Sequence, residues 1–289
     1  MNIAIASGKG GTGKTFVSTN LFWVIQHEGF PVTIVDCDAE EPNVTEFITG
    51  EVLADRTISQ IIPVINPEQC VFCGKCQEYC SYNAIIFLPS SHFIQVIEDL
   101  CHDCGACLVA CKYGAITEKK KKIGIVRNLF FNCHAQIIES RTEIGVYSSV
   151  PLIKEAIKEA VNDPTENLFN ILDSPPGISC PFIATVDKAD YVVLVTEPTP
   201  FGLNDLKLSV ETLKHLEKPF GVLVNRAKLG NLEVYDWLQE NSIPLLLSIP
   251  MDREIARIYS EGHILAEEQP AYRDLFVELF RRIKKQVNA

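Results

Sequence analysis

Six short stretches of the chain are apolar at nearly every position: 2–7, 32–36, 168–173, 191–196, 221–225 and 245–249. None alternates between a wet and a dry face, which is the pattern of strands covered on both sides. Segments of helical period lie between them, over 14–28, 151–161, 204–216, 232–240 and 272–287. Strand and helix in alternation predict an α/β fold on a doubly wound, mostly parallel sheet. One interval breaks the rhythm. From Val35 to Ile171 the chain is far longer than a single crossover helix requires, and the cysteines concentrate there. The simplest layout is a main domain in two segments, 1–62 and 119–289, interrupted by a compact α+β insert over 63–118. Such an insert is tolerated when its ends lie close together. The run Lys119–Lys122 reads as a solvated turn at the exit of the insert, and 123–147 alternates enough to hold one or two strands.

Composition narrows the classes. With 26 Lys+Arg against 37 Asp+Glu the net charge is −11, which argues against nucleic acid as the main partner, because phosphate binding needs a basic footprint. No apolar run approaches the roughly 18 residues of a membrane span, and the start of the chain lacks the basic region of a signal peptide. The expectation is a soluble cytoplasmic protein. In that reducing compartment 11 cysteines point to metal binding rather than disulfides.

Gly8-Lys9-Gly10-Gly11-Thr12-Gly13-Lys14-Thr15 fits G-x-x-x-x-G-K-[ST], placed after the first apolar strand and at the start of a helix. Glycines let backbone N–H groups curl around phosphate oxygens, and the helix N-terminus adds positive dipole. Lys14 then reaches the β- and γ-phosphates and the Thr15 hydroxyl binds Mg²⁺.

With its second lysine, Lys9, this loop resembles that of the deviant-Walker, MinD/ParA-like ATPases. Other family elements follow in order: Asp36-Cys37-Asp38 with Glu41-Pro42-Asn43, then Asp173-Ser174-Pro175-Pro176-Gly177, then Val224-Asn225-Arg226. The resemblance implies a nucleotide-sandwich homodimer, or a heterodimer with a related ATPase, in which Lys9 reaches the partner's phosphates. It gives Asp38 the task of orienting the attacking water, so that Lys9, Lys14 and Asp38 are the catalytic set. It also implies that Asp173 contacts Mg²⁺ through water, that Gly177 opens a γ-phosphate-sensing switch, and that Asn225 binds adenine. The absence of N-K-x-D favours ATP over GTP.

Cys70-x₂-Cys73-x₂-Cys76-x₃-Cys80 is followed by Cys101-x₂-Cys104-x₂-Cys107-x₃-Cys111, with Gly74/Gly105, Ala84/Ala115 and Ile85/Ile116 matching at the same offset. This internal repeat resembles the bacterial two-cluster ferredoxin, in which the fourth cysteine of each block ligates the other cluster. The resemblance implies one [4Fe–4S] cluster on Cys70, Cys73, Cys76 and Cys111, and a second on Cys101, Cys104, Cys107 and Cys80. Ser81 and Lys112 replace the proline that usually follows the fourth cysteine, which removes no ligand. Zinc is the competing metal, but four-cysteine zinc sites use two paired C-x₂-C knuckles.

Of the other cysteines, Cys37 and Cys133 read as structural. Cys180 lies in the expected switch and reads as packed. In the nitrogenase iron protein, a relative of these ATPases, a cysteine at that offset helps hold a cluster between protomers. The second cysteine this needs has no counterpart here, where Ser148, Ser149 and Val150 stand. A weaker alternative has two Cys180 thiolates meeting across a dimer axis. Phe276, Leu279, Phe280, Ile283 and Val287 share one face of the last helix, opposite Arg281, Arg282 and Lys284. A membrane-binding tail is one reading of that face, and a helix packed on the sheet is the preferred one.

Two functions follow. In the first, the ATPase gates electron transfer from its own clusters to a redox partner or metal centre. In the second, it is an ATP-dependent scaffold or carrier for iron–sulfur or related cofactors. A MinD-like spatial regulator ranks below both because it leaves the cysteines unexplained.

Overall fold

The computed structural model describes residues 1–287. The chain opens with β1 (Asn2–Ala6), α1 (Lys14–His27) and β2 (Val32–Asp36), then runs into β3 (Glu51–Ile65). The cysteine region follows, with α2 (Lys75–Glu78), β4 (Ile85–Leu88), β5 (Phe93–Val96) and α3 (Ala106–Ala110). The chain returns through β6 (Ile116–Asn132) and β7 (Ala135–Thr142) to α4 (Val150–Val161), β8 (Phe169–Asp173), α5 (Cys180–Val186) and β9 (Tyr191–Thr196). It continues through α6 (Pro200–His215), β10 (Phe220–Ala227), α7 (Glu233–Glu240) and β11 (Leu245–Pro250), and ends in α8 (Arg253–Ser260), α9 (Leu265–Glu268) and α10 (Pro270–Val287).

Nine strands form one sheet in the order β11-β10-β9-β1-β8-β2-β7-β6-β3. From β11 to β7 every neighbouring pair is parallel. Strands β1, β2, β8 and β9 are buried along almost their whole length, as their unbroken apolar sequences require. Helices α1, α8, α9 and α10 cover one face with a core that includes Phe16, Leu21, Phe22, Phe276 and Leu279. Helices α4 to α7 cover the other, with Leu152, Ile153, Phe182, Leu206 and Leu238. Phe276, Leu279, Phe280 and Ile283 are thus spent on the core, and only Val287 of the expected apolar face is exposed. Among the described residues no helix is long and apolar enough to cross a membrane.

The far end of the sheet departs from expectation. β6 pairs antiparallel with β7, and β3 antiparallel with β6 over a long register from Glu51↔Phe130 to Ile65↔Ile116. The region expected as a separate insert therefore stands on a two-stranded arm that is continuous with the main sheet. β7 accompanies β6 only as far as Gly124↔Thr142, so residues 59–65 and 116–123 project beyond the C-terminal edge of the parallel strands. Lys119–Lys122, expected in a turn, lie in β6 opposite 59–62. Their charges are spent locally: Lys119 pairs with Glu98, Lys121 with Glu98 and Asp99, and Lys122 with Glu143.

Candidate functional site

The phosphate loop spans the end of β1 and the first turn of α1, and two of its glycines, Gly8 and Gly13, are needed for steric reasons. A Cβ on Gly13, at φ +98°, would lie 2.4 Å from Asn225 Nδ2. One on Gly8 would lie 2.5 Å from the Asp205 carbonyl oxygen, where α6 closes on the loop. Asn225, on β10, is buried and donates from Nδ2 to the Thr12 carbonyl (2.8 Å). It braces the phosphate loop in this structure.

Below the loop lies a carboxylate cluster. Thr15 Oγ1 donates to Asp173 Oδ2 (2.6 Å) and Ser18 Oγ to Asp173 Oδ1 (2.8 Å). Ser18 was not singled out by motif; its place one helical turn after Lys14 is the only signal. Burial raises the Asp173 carboxyl above its ordinary range, against the pull of Thr15, Lys14 and Ser18. Lys14 is itself buried, which lowers its ammonium despite Asp173 and Asp38 nearby. Asp38 is pushed up to about 6, first by burial and further by Asp173, with Lys14 opposing. Three carboxylates, Asp36, Asp38 and Asp173, thus crowd a partly dry site with one ammonium. The site is short of positive charge; Asp36 is taken up by backbone N–H groups, which leaves Asp38, Asp173 and the Thr15 hydroxyl as oxygen donors of the kind a hard divalent cation takes.

Lys9 points away from this cluster. Its Nζ lies 3.3 Å from Glu197 Oε2, and Arg226 bonds the same carboxylate from the other side. Glu197 lies in no recognised motif, and Arg226, though it follows Asn225 in the family element 224–226, carries no assigned contact there. Gly177, at φ +89°, donates its N–H to the Ser7 carbonyl (3.1 Å), tying the segment after β8 to the phosphate loop. Cys180, expected to be packed, begins α5 and is exposed, because Phe182, Ala184 and Val186 supply the buried face of that short helix. Cys133 is also exposed, at the β6–β7 turn, whereas Cys37 is fully buried. Exposed apolar side chains ring the C-terminal edge of the sheet: Tyr147, Ile178, Phe201, Leu229, Leu232 and Met251.

The arm carries the eight clustered cysteines as two cavities. One, of about 340 Å³, is lined by Cys70, Cys73, Cys76 and Cys111. The other, of about 440 Å³, is lined by Cys80, Cys101, Cys104 and Cys107. The fold thus carries the last cysteine of each block to the other block's cavity. The backbone repeats with the sequence: Phe72 and Asp103, Gly74 and Gly105, and Asn83 and Gly114 all have positive φ. Phe72 N–H donates to Cys70 Sγ (3.4 Å) and Ala84 N–H to Cys80 Sγ (3.3 Å). Burial raises the thiols of Cys76, Cys101 and Cys107, so proton release must accompany metal binding there. Among the described residues no three potential ligands close on a single point suited to one ion. The thiols instead surround their cavities, a donor set that fits a polynuclear group with one thiolate per corner. The second cavity lies nearer the root of the arm, against Ile61, Pro63 and Glu118, and the first against Ile65 and Ile116 at its tip. Tyr82 stacks on His102 beside the second cavity (centroids 3.8 Å apart), where the repeat places Tyr113 and Val71 beside the first.

A mostly parallel sheet with a glycine-rich loop after β1 and carboxylates at the ends of β2 and β8 defines a P-loop nucleotide-binding protein. Residues 3–265 match the CobQ/CobB/MinD/ParA nucleotide binding domain, and the chain belongs to that family of ATP-binding ATPases. Two uncharacterised proteins of Methanocaldococcus jannaschii are similar along most of their length. One is 31% identical over 91% of this chain and 90% of its own, the other 30% identical over 99% and 97%. A protein of Pyrococcus horikoshii named iron-sulfur cluster carrier protein is 24% identical over 97% of this chain and 84% of its own. Among solved structures, the cell division ATPase MinD of Pyrococcus furiosus shares the fold, with a TM-score of 0.60, 21% identity and 98% coverage of both chains.

Proposed function

We propose that this ATPase works as a nucleotide-switched dimer that gates electron transfer through two [4Fe–4S] clusters on its arm. One observation carries the reading: eight cysteines line two cavities with their fourth ligands exchanged. Cys70, Cys73, Cys76 and Cys111 would hold one cluster, and Cys101, Cys104, Cys107 and Cys80 the other. Bound there, each cluster supplies a one-electron centre. All ligands come from one chain and two are buried, which suits a resident carrier better than a cargo site. In this reading residues 63–118 act as the ferredoxin-like unit, and ATP is the nucleotide. Lys14 and the loop N–H groups hold its phosphates, Thr15 and Asp173 hold Mg²⁺, and Asp38 orients water. Lys9 leaves Glu197 to reach the phosphates of the partner chain, and the apolar rim of the sheet edge supports such face-to-face pairing.

Anaerobic purification with iron and sulfide analysis, followed by EPR with and without ATP, tests this. Eight irons per chain, roughly, and a nucleotide-dependent spectrum are expected. Spectra indifferent to nucleotide overturn the gating. A second reading, a carrier of iron–sulfur or related cofactors, is favoured by exposed Cys180 beside the dimer-facing edge and by the name of the Pyrococcus horikoshii relative. It predicts transfer of cluster to an apo-protein that is lost in Cys180→Ser.

A further inference from the structure

The loop that bears Asp38 and the root of the cysteine arm are joined by hydrogen bonds. Asp36, fully buried, accepts the backbone N–H groups of Asp38 (3.1 Å), Asn43 (2.8 Å) and Val44 (2.9 Å), folding the loop around its carboxylate. On the other side of the loop, Thr142 at the end of β7 donates twice to the Ala39 carbonyl, from its N–H (2.8 Å) and its hydroxyl (3.1 Å). The next residue, Glu143, donates its N–H to the Ile123 carbonyl (2.9 Å), and its carboxylate holds Lys122.

Ile123 occupies a special place. Pairing of β3 with β6 steps from Ile58↔Gly124 to Ser59↔Lys122, leaving Ile123 as the extra residue of a bulge. Its side chain is buried in the core beside α4. A bulge bends its strand and re-aims what lies beyond it, and this one sits where β6 loses β7 and the arm continues on two strands alone. The contacts of Ala39, Thr142 and Glu143 thus run from the Asp38 loop to the point where the arm loses its third strand.

We propose that the chain of contacts Ala39–Thr142–Glu143–Ile123 sets the attitude of the cysteine arm according to the nucleotide at Asp38, with Thr142 as its positioning residue. This rests on the reading of Asp38 as the residue that meets the γ-phosphate end of ATP. Nucleotide-dependent shifts of the Ala39 carbonyl are transmitted because Thr142 bonds that atom twice, and the arm answers as a unit. Gln60 bonds the Cys101 carbonyl, Ile61 N–H bonds Asp103 Oδ2 (2.9 Å), and Lys119 holds Glu98 (2.7 Å), so the second cavity is clamped to the arm.

Hydrogen–deuterium exchange on the full anaerobically purified chain, with and without Mg²⁺ and a non-hydrolysable ATP analogue, tests the proposal. In the wild type the analogue should slow amides of both 37–44 and 117–124. Thr142→Val keeps shape and backbone but loses the hydroxyl; it should retain the response at 37–44 and lose about five-fold of that at 117–124, the worth of one neutral hydrogen bond. Glu143→Pro, which removes the N–H given to Ile123 together with the carboxylate that holds Lys122, should uncouple the arm likewise. Thr117→Val, whose hydroxyl bonds Val64 higher on the arm (3.4 Å), should leave the response intact. A full arm response in both Thr142→Val and Glu143→Pro overturns the proposal. So does a wild-type arm that ignores the analogue while 37–44 responds, an outcome that leaves the ATPase reading standing. If neither segment responds and no ATP is hydrolysed, the ATPase reading falls as well.

Discussion

Asp38→Asn should give a chain that is more stable and catalytically dead, and the size of the first effect follows from burial. The Asp38 carboxyl moves from an ordinary value of 3.8 to about 6 in the folded chain, with burial as the largest cause. The unfolded chain ionises this group at the lower value, so folding loses stability as pH rises from 3.8 to 6, and the whole penalty applies above that. Each pKa unit is worth about 1.4 kcal/mol. The shift then amounts to at most about 3 kcal/mol, and about 2 after allowance for the group's partial exposure. Asparagine keeps the shape without the charge and should recover that amount. For a chain of this size the gain is about 5 °C in Tm at pH 7.5, read by thermal or urea unfolding without nucleotide or Mg²⁺. At pH 5 the wild-type group is already mostly protonated, and the gain should shrink by roughly half. ATP hydrolysis should fall by about 100-fold or more, as for loss of a general base or water-orienting group. Equal stability at pH 7.5, or an advantage that grows toward pH 5, refutes the burial argument.

Lys14→Ala deletes the one ammonium among the site's carboxylates and should weaken ATP binding by about 10- to 100-fold, measured by calorimetric titration. Cys111→Ala should halve the iron content and remove the signal of the cluster at the arm's tip, although Cys111 belongs to the second sequence block; loss of all iron would contradict independent ligand sets. Gly124→Ala places a Cβ 2.4 Å from the Arg141 carbonyl oxygen and 2.8 Å from Leu152 Cδ2, and should destabilise the chain by about 1–3 kcal/mol in urea titrations.

The central strands and the phosphate loop were legible because each is dictated locally: strands buried on both faces must be apolar throughout, and a phosphate loop must be rich in glycine. The cysteine blocks were legible by their spacing. The arm was not. In β3, residues 51–57 are all exposed, so the segment carries no alternation, and its strand conformation comes from pairing with β6 alone. Lys119–Lys122 looked like a turn because four charges in a row resemble a solvated loop, yet Glu98, Asp99 and Glu143 neutralise three of them from distant positions. Similarly, the hold of Glu197 on Lys9 joins residues far apart in sequence. Asn225, expected at adenine, also donates to the Thr12 carbonyl; a motif names the residue but not every contact it makes. The short helix α8 starts at a side-chain cap, Asp252, which accepts from the Glu254 N–H.

Ile65 and Ile116 are register partners on adjacent antiparallel strands. The chain therefore departs and returns side by side, at the spacing a two-residue hairpin turn bridges. Shortening the arm to such a turn would leave every strand of the parallel sheet with its neighbours. The cysteine region could therefore be added to or lost from such a chain without rewiring of its host. A trimmed chain should fold as a bare ATPase, and cassettes of other chemistry could be carried on the same stem.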